Sequence, residues 1–358
     1  MSRGRSAALG ELIAAAELDS LIVEGAADLR YLCGYTGSNG LALVGADGGG
    51  RFWTDFRYAS QIAEELDGAF EAEIVTGELL DSLAASLTGG RVGFDDATMT
   101  VRHRARLGEL AAANVELVAC AGLVGRLRAV KDEGEIASIA AAAELIDRLL
   151  EWLFGSGLAG RSERDVAISL EHEMRLRGAS APSFPSIVAA GAHAALPHAQ
   201  PGDGRLERGT LVTIDIGAIV DGYCSDCTRT VAVGEPSAHA REVYAVVAAA
   251  QLAGLEAVMP GVDGRDADAQ ARAVIEAAGY GEHFGHGLGH GVGLEIHEAP
   301  RLSRTSADRQ LVDGNVVTVE PGIYLPGELG VRIEDLVVVR AEGPQVLSAF
   351  TKELLVLD

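Results

Sequence analysis

The 358-residue chain is poor in cysteine, in aromatic residues and in positive charge. Its four cysteines are too few for the disulfide framework of a small secreted protein. Basic residues number 29 against 52 acidic ones, which gives a formal net charge of −23. Because such a polyanion repels phosphate backbones and anionic lipid headgroups, we expect neither nucleic acid nor a membrane as a partner.

The sequence also lacks an apolar run long enough to cross a membrane. Its most apolar long stretch, 243–259, contains Gln251 and Glu256 and is interpreted as an Ala-rich helix. The first residues have no apolar core of a signal peptide, since Glu11 and Glu17 interrupt them. The expected location is therefore the cytoplasm. Hydrophobic residues make up 48% of the chain, which argues against disorder and supplies sizeable cores.

The pattern of predicted helices and strands changes near residues 120–132. In the first region, over 1–122, short strand-like runs alternate with helical stretches, which predicts a smaller α/β domain. The second, 130–358, begins with predicted helices at 132–154 and 162–177. It continues as short β-type runs that are separated by Gly and Pro and interrupted by two helices. This order predicts an α+β fold with antiparallel sheets.

Histidine is unevenly distributed, because four of the nine histidines lie within fifteen residues of each other. His283, His286, His290 and His297 alternate with glycines in the segment HFGHGLGHGVGLEIHEAP. Glycine at every second position suits neither a helix nor an ordinary strand, but it suits a backbone that passes close to a ligand or another segment. The His-Glu-x-x-His signature of the zincins is absent, since no histidine lies three residues after Glu298.

Four acidic residues lie inside, or at the ends of, runs that are predicted to be buried strands: Asp215, Asp226, Glu320 and Glu334. A buried carboxylate that stays charged and unpaired costs several kcal/mol. A salt bridge, a raised pKa or a bound cation removes this cost, and Arg229 could pair with one aspartate. Four such residues close to a histidine cluster favour a metal site. Four carboxylates match the charge of two divalent cations, and oxygen ligands suit Mn²⁺, Co²⁺ or Fe²⁺ better than Zn²⁺.

The pair Cys224 and Cys227 has the spacing of half a zinc ribbon or of a redox motif. A ribbon needs a second pair, and the other two cysteines are isolated. A thioredoxin-like motif opens a helix, whereas this pair lies in a predicted β-hairpin that turns at Asp221-Gly222. We therefore interpret the two cysteines as small strand residues on either side of Asp226.

Four segments in this order resemble the signature set of the Xaa-Pro metallopeptidases, the aminopeptidase P and prolidase branch of the pita-bread peptidases. They are DIGAIVDGYCSDCTRT, GHGLGHGVGLEIHE, VEPGIY and GVRIEDLVVV. The resemblance covers about residues 130–355 directly, and residues 1–122 are similar in length and texture to a creatinase-type N-terminal domain. It implies an α+β protein in which a pita-bread catalytic domain, residues 130–358, follows a smaller α/β domain.

The resemblance also implies a dinuclear metal centre. Its ligands would be Asp215, Asp226, His290, Glu320 and Glu334. Asp226 and Glu334 would bridge two divalent ions, with Mn²⁺ expected and Co²⁺, Fe²⁺ or Zn²⁺ as alternatives. A bridging water or hydroxide would attack the carbonyl carbon of the Xaa-Pro bond.

Five residues receive catalytic roles from the same resemblance. Glu320 would shuttle the proton. His198, His286 and His297 would bind substrate and stabilise the tetrahedral intermediate. Arg332 would orient substrate or support Glu334, and its structural alternative is a salt bridge to a site carboxylate.

Several alternatives follow from the resemblance. A creatinase-like amidinohydrolase is disfavoured because creatinase lacks this metal set, and methionine aminopeptidases usually lack such an N-terminal domain. The substrates would be Xaa-Pro dipeptides or longer peptides with proline in second position, and we favour the dipeptidase. The remaining alternative is a non-catalytic member of the fold that binds metal or peptide. A homodimer is the expected assembly.

Overall fold

The computed structural model describes residues 2–306 and 310–358, with side chains from residue 4 onward. The chain forms two compact units, Met1–Arg128 and Ala129–Asp358. The domain bounds expected from sequence, 1–122 and 130–358, stay a prediction.

The first unit contains one six-stranded sheet. Its strands are β1 Ser20–Val23, β2 Leu41–Gly45, β3 Gly50–Asp55, β4 Phe70–Val75, β5 Gly90–Asp95 and β6 Val115–Cys120. Its helices are α1 Ser2–Ala15, α2 Ala26–Cys33, α3 Ala59–Glu65, α4 Leu79–Ser86, α5 Val101–Leu110 and α6 Leu123–Arg128. The strand order is β4-β3-β2-β1-β5-β6, and β2 is antiparallel to both of its neighbours while the other pairs are parallel.

The sequence pattern predicts four of these strands and misses the two at the edges. In β4 the four central residues are exposed, and no residue of β6 is fully buried. Glutamates interrupt both edge strands, FEAEIV and VELVAC, so neither shows the uninterrupted apolar run by which the pattern identifies β1 and β2.

The second unit contains four long helices and four small sheets. The helices are α7 Glu133–Gly155, α8 Glu163–Leu176, α9 Ala238–Glu256 and α10 Gly264–Ala277. The first seven strands are β7 Ala181–Pro182, β8 Ile187–Ala190, β9 Thr210–Ile216, β10 Ala218–Val220, β11 Tyr223–Cys224, β12 Cys227–Val233 and β13 Gly289–Gly291. The others are β14 Glu298–Leu302, β15 Val316–Val319, β16 Gly322–Leu325, β17 Leu329–Arg332, β18 Asp335–Val338, β19 Gln345–Val346 and β20 Val356–Leu357.

Nearly all strand pairs of this unit are antiparallel, as the sequence predicts. The sheets have the orders β20-β12-β9-β8, β14-β13-β15-β18-β19, β11-β10-β7 and β16-β17, and only the described pair β12–β20 is parallel. Apolar residues of α7 and α8 pack on one face of β9 and β12, and those of α9 and α10 pack against β15, β17 and β18. Each fully buried leucine or isoleucine in these clusters contributes roughly 1.5–3 kcal/mol.

The predicted hairpin is confirmed and carries two site residues. Strands β9 and β12 pair antiparallel, with Asp215 opposite Thr228. The chain turns at Asp221 (φ 48°) and Gly222 (φ 79°), between the paired residues of β10 and β11. Two positive φ values in a two-residue loop define the type I′ turn that matches strand twist.

The sequence pattern predicts a strand over 333–339, whereas the structure has β18 over Asp335–Val338 and leaves Ile333 and Glu334 between two strands. Strand β17 ends at Arg332 and pairs with β16, whereas β18 begins at Asp335 and pairs with β15. Glu334 lies in the step between these sheets, and its backbone N–H donates to Thr228 O at 3.1 Å. The residues from Val331 to Asp335 are all buried and include neither Gly nor Pro, so the sequence does not mark the break.

Candidate metal centre

One cavity of about 700 Å³ in the second unit collects every side chain that the sequence singled out for chemistry. These residues are His198, Asp215, Asp226, His286, His290, His297, Glu320, Arg332 and Glu334. Along the chain they span more than 130 residues, and the fold brings them together around this cavity.

Three carboxylates lie close together in this cavity. Asp215, Asp226 and Glu334 each offer an oxygen within 4.8 Å of the others, and all three residues are buried. The hairpin places the two aspartates side by side, because Asp226 comes directly before Cys227, the partner of Ile216. Such a set of converging oxygen donors suits a hard or intermediate divalent cation.

His290 and Glu320 extend the set on its other side. His290 Nε2 lies 3.3 Å from Glu320 Oε1 and 3.7 Å from Asp226 Oδ2. His290 Nδ1 lies 3.1 Å from Gly291 O, and since a carbonyl can only accept, the ring proton is assigned to Nδ1. The lone pair of Nε2 therefore faces the carboxylates, which is the tautomer that a metal ligand requires.

The alternating glycines around His290 have a packing role. A Cβ on Gly289 would lie 2.0 Å from Thr318 O, and one on Gly291 would lie 2.3 Å from Ala299 O. Strand β13 is thus held too close to β14 and β15 for any side chain at these two positions. The close backbone approach expected from the sequence is confirmed for neighbouring chain segments.

The electrostatics of the carboxylates test whether a cation fits. Asp215 Oδ1 and Glu334 Oε1 are fully buried and have no hydrogen-bond partner among the described residues. Burial, together with the neighbouring carboxylates, raises the pKa of Asp226 and of Glu334 well above their usual values. Buried oxygens without donors cost free energy that a bound cation recovers, so these residues fit a metal centre.

Glu320 behaves differently from the other carboxylates. Burial alone would raise the pKa of its carboxyl, but in the metal-free site, where His290 Nε2 can carry a second proton, the hydrogen bond and positive charge of that imidazolium, with the charge of Arg332, lower the pKa to about 2. Thr318 Oγ1 also donates to Glu320 Oε1 at 3.2 Å. The site therefore contains one carboxylate that is ionised throughout the physiological range.

Arg332 provides the guanidinium of the site. Its Nη2 donates to Asp215 Oδ2 at 2.6 Å, which is the salt bridge that the sequence left as an alternative. Its Nε donates to Thr228 Oγ1 at 3.1 Å, and that hydroxyl donates to Glu334 Oε2 at 2.7 Å. One guanidinium offsets only one of the four carboxylates. Arg229 does not pair with either site aspartate, because its Nη2 binds Asp335 Oδ1 at 3.0 Å.

The three cavity histidines other than His290 differ in their partners. His286 Nδ1 lies 2.8 Å from Gly287 O and its Nε2 lies 2.9 Å from Tyr324 Oη, so both ring nitrogens are engaged. Burial lowers the pKa of His286 and that of His297. His297 lies edge-to-face on His290, with ring centroids 4.4 Å apart. Among the described residues, neither His198 nor His297 has a hydrogen-bond partner for its ring.

Sequence reasoning missed Tyr324, Thr228 and Thr318. Tyr324 Oη accepts from Arg332 Nη1 at 2.8 Å, and burial raises its pKa to about 12, so the phenol keeps its proton and donates it to His286 Nε2. The motif VEPGIY contains this tyrosine and could have indicated it. Threonine is common in strands, so the two hydroxyls become visible only through strand register.

Antiparallel sheets around a carboxylate and histidine centre are the architecture of a metallopeptidase domain. The sequence model of metallopeptidase family M24 matches residues 137–341, and that of the creatinase/prolidase N-terminal domain matches residues 5–130. The chain belongs to metallopeptidase family M24. The predicted α+β fold, a pita-bread domain preceded by a smaller creatinase-type α/β domain, is confirmed.

Three similar proteins cover nearly the whole chain. The uncharacterized peptidase YqhT of Bacillus subtilis is 42% identical over 344 residues, which are 95% of this chain and 96% of that protein. The structure of an Xaa-Pro dipeptidase from Bacillus anthracis has a TM-score of 0.95 at 39% identity and 100% coverage of both chains. An X-Pro aminopeptidase from Thermotoga maritima has a TM-score of 0.87 at 35% identity, covering 95% of this chain and 98% of that one.

Within residues 2–306 and 310–358, no helix combines the length and the apolar character that a bilayer crossing requires.

Proposed function

We propose that this protein hydrolyses the peptide bond between an N-terminal residue and proline, with Xaa-Pro dipeptides as preferred substrates. The observation that carries the proposal is the convergence of Asp215, Asp226 and Glu334 beside His290 and Glu320 in one cavity. The names of the similar dipeptidase and aminopeptidase structures support the same substrate class.

Five residues would hold two divalent ions: Asp215, Asp226, His290, Glu320 and Glu334. The oxygen-rich donor set favours Mn²⁺, with Co²⁺, Fe²⁺ or Zn²⁺ as alternatives. When bound, such ions lower the pKa of a water molecule and so supply a nucleophile at neutral pH.

Glu320 is the proposed proton carrier. Its carboxylate is ionised at neutral pH and part of its side chain, 18%, is exposed to the cavity. It accepts the proton of the attacking water and delivers it to the leaving nitrogen of proline. General acid–base catalysis of this kind contributes about 10²–10⁴-fold to a rate.

The remaining polar groups divide into two roles. His198 and His297 have ring nitrogens available, and they hydrogen-bond the substrate and the developing oxyanion. His286 uses both ring nitrogens inside the protein, so it fixes Tyr324, which in turn fixes Arg332. Arg332 then holds Asp215 in place for the metal ions. This division refines the expectation that all three histidines contact substrate.

Steady-state hydrolysis of Ala-Pro and Ala-Pro-Ala by the Mn²⁺-loaded protein tests the proposal. A dipeptidase cleaves Ala-Pro with the larger kcat/KM, and an aminopeptidase cleaves the tripeptide at least as well. If two metal ions bind but neither peptide is cleaved, the non-catalytic alternative replaces the enzyme.

The proposal also covers the location, assembly and partners of the enzyme. A cytoplasmic homodimer that binds neither nucleic acid nor membranes stays a prediction from the sequence and its resemblance. Light scattering on the purified protein measures the molar mass, and twice the chain mass supports the dimer.

A further inference from the structure

The segment between β8 and β9 forms one wall of the cavity. Five consecutive residues of this segment, 197–201, line the cavity, and His198 is among them. On the site side, Pro197 O accepts from Arg332 Nη1 at 3.2 Å. The position of this wall therefore decides where His198 meets a substrate.

A single buried carboxylate holds both ends of this segment. Glu163, the first residue of α8, is 3% exposed. Its Oε1 accepts from Ala190 N at 2.9 Å, before the segment, and its Oε2 accepts from Gly202 N at 2.9 Å, after it. His193, inside the segment, places Nδ1 2.9 Å from each carboxylate oxygen.

Both carboxylate oxygens of Glu163 act as hydrogen-bond acceptors. Every group that faces the carboxylate is a donor: two backbone N–H groups and the imidazole of His193. Among the described residues no lysine or arginine forms an ion pair with it, and its salt-bridge partner is His193. Charge-assisted hydrogen bonds and the start of a helix stabilise a carboxylate in such a place.

We propose that Glu163 is a positioning residue: its carboxylate fastens the segment 190–202 and thereby holds His198 at the substrate. The kinetic part of this inference rests on the proposed peptidase function, whereas the structural part does not. Glu163 itself is not among the residues that line the cavity, so it acts through the segment.

An isosteric change isolates this role. Glu163→Gln keeps the shape but turns an amide N–H₂ toward at least one backbone N–H, which leaves a buried donor without an acceptor. The segment loosens, and because misplacement by about 1 Å can cost about 10²-fold in rate, we expect kcat/KM for Ala-Pro to fall by about 10–100-fold.

A double-mutant cycle distinguishes positioning from a general loss of stability. Glu163→Gln is made in the wild-type protein and in the His198→Ala variant, and kcat/KM is measured well below the melting temperature with metal content verified. If Glu163 acts through His198, its substitution costs less than about threefold in the His198→Ala background. An equal loss in both backgrounds, or no loss in the wild type, overturns the proposal.

Asp203→Asn, directly after this segment, serves as the matched control. It removes the exposed ion pair with Arg164, and we expect activity within about twofold of wild type because exposed pairs contribute little. If Glu163→Gln does not fold, His193→Ala replaces it in the cycle. It removes one of the donors, so we expect a loss of about threefold in the wild type and none in the His198→Ala background; equal losses overturn the proposal.

Amide hydrogen exchange of residues 190–204 tests the structural part without any substrate. We expect Glu163→Gln to speed exchange of this segment by about tenfold or more, while Asp203→Asn leaves it unchanged. Unchanged exchange in Glu163→Gln overturns the proposal, whether or not the wild-type protein cleaves Ala-Pro. A wild type without hydrolysis contradicts the proposed function alone.

Discussion

The second unit contains two groups of buried carboxylates that differ in their partners. The paired carboxylates, Asp268 and Asp335, are 0% exposed. Asp268 binds Arg272 at 2.9 Å through both oxygens, and Asp335 binds Arg229, Gln251 and Lys352. The site carboxylates, Asp215, Asp226 and Glu334, are also buried, with exposures of 8%, 5% and 1%. They share one guanidinium, however, and two of their oxygens have no donor among the described residues.

Pairing, more than burial, therefore separates structural from functional acids in this fold. A buried carboxylate with a complete set of donors roughly balances its desolvation cost, whereas clustered carboxylates without cations leave a cost of several kcal/mol. A protein that retains such a cost gains something else from the residues, and here that gain is the capacity to hold cations.

Of the variants that test this comparison, Glu334→Gln is expected to have the largest effect. It removes a proposed bridging charge at nearly constant volume, so we expect kcat on Ala-Pro to fall on the order of 10⁴-fold, the scale seen when one member of a catalytic unit is lost. At least one metal ion should also bind more weakly. Activity measured at saturating Mn²⁺, beside metal analysis of the same sample, checks both effects. Near-normal turnover would mean that Glu334 is not a bridging ligand.

Asp335→Asn makes the same chemical change in the neighbouring residue and should act through stability. It leaves Arg229 and Lys352 without their buried anion, and breaking a buried pair costs about 3–5 kcal/mol. Urea denaturation of the metal-free proteins gives the free energy of unfolding. In the same assay Glu334→Gln should stabilise the protein, since it removes an uncompensated charge. If the free energy of unfolding changes with the same sign in both variants, the distinction between paired and site carboxylates is refuted.

His297→Ala examines a cavity residue that is not a proposed ligand. Because His297 contributes a hydrogen-bonding ring beside His290, we expect kcat to fall by about 10²-fold while both ions remain bound. His283→Ala is the matched control, since this histidine belongs to the same glycine-rich segment but does not line the cavity. Loss of both ions from the His297 variant would make this residue a ligand.

The most gradual expected effect is a pH dependence of stability in the metal-free protein. The pKa values of Asp226 and Glu334 are raised in the folded state, so the folded protein binds more protons than the unfolded chain. The free energy of unfolding should fall as pH rises from 5 to 8, by up to about 1.4 kcal/mol per pH unit for each proton. Glu320, whose pKa is lowered to about 2, adds only a small opposite slope near pH 5, because above that pH its carboxyl is ionised in both the folded and the unfolded chain.

Urea denaturation at several pH values measures this slope, and Glu334→Gln should reduce it. Added Mn²⁺ should stabilise the protein more at high pH than at low pH, because metal binding requires deprotonated ligands. A slope that is flat or positive for the metal-free wild type would contradict the raised pKa values.

Much of the site could be predicted because its residues violate local rules. Asp215 and Glu334 are charged residues in apolar runs, and the glycines beside His290 interrupt any regular pattern. Tyr324 and Glu163 violate no such rule, because a tyrosine in a strand and a glutamate at the start of a helix are ordinary. Their importance depends on contacts between segments distant in sequence, which only the folded chain shows.

The fold likewise has parts that the sequence predicts and parts that it does not. Strands with a buried face, such as β9 and β12, were predictable from apolar runs, and their hairpin turn from Asp221-Gly222. The break between β17 and β18 was not, because both strands are buried and no Gly or Pro lies between them. Choice of partner strand is a tertiary property, and it is this choice that turns Glu334 toward the aspartates.

The most direct test of the account is the number of metal ions bound by each chain. Metal-free protein is equilibrated with Mn²⁺, freed of excess ion and measured by plasma mass spectrometry, with Glu334→Gln and Asp335→Asn alongside. The account predicts two ions per chain in the wild type and in folded Asp335→Asn, and fewer than two in Glu334→Gln. Two ions in Glu334→Gln, or none in the wild type, would contradict the claim that the site carboxylates exist to hold cations.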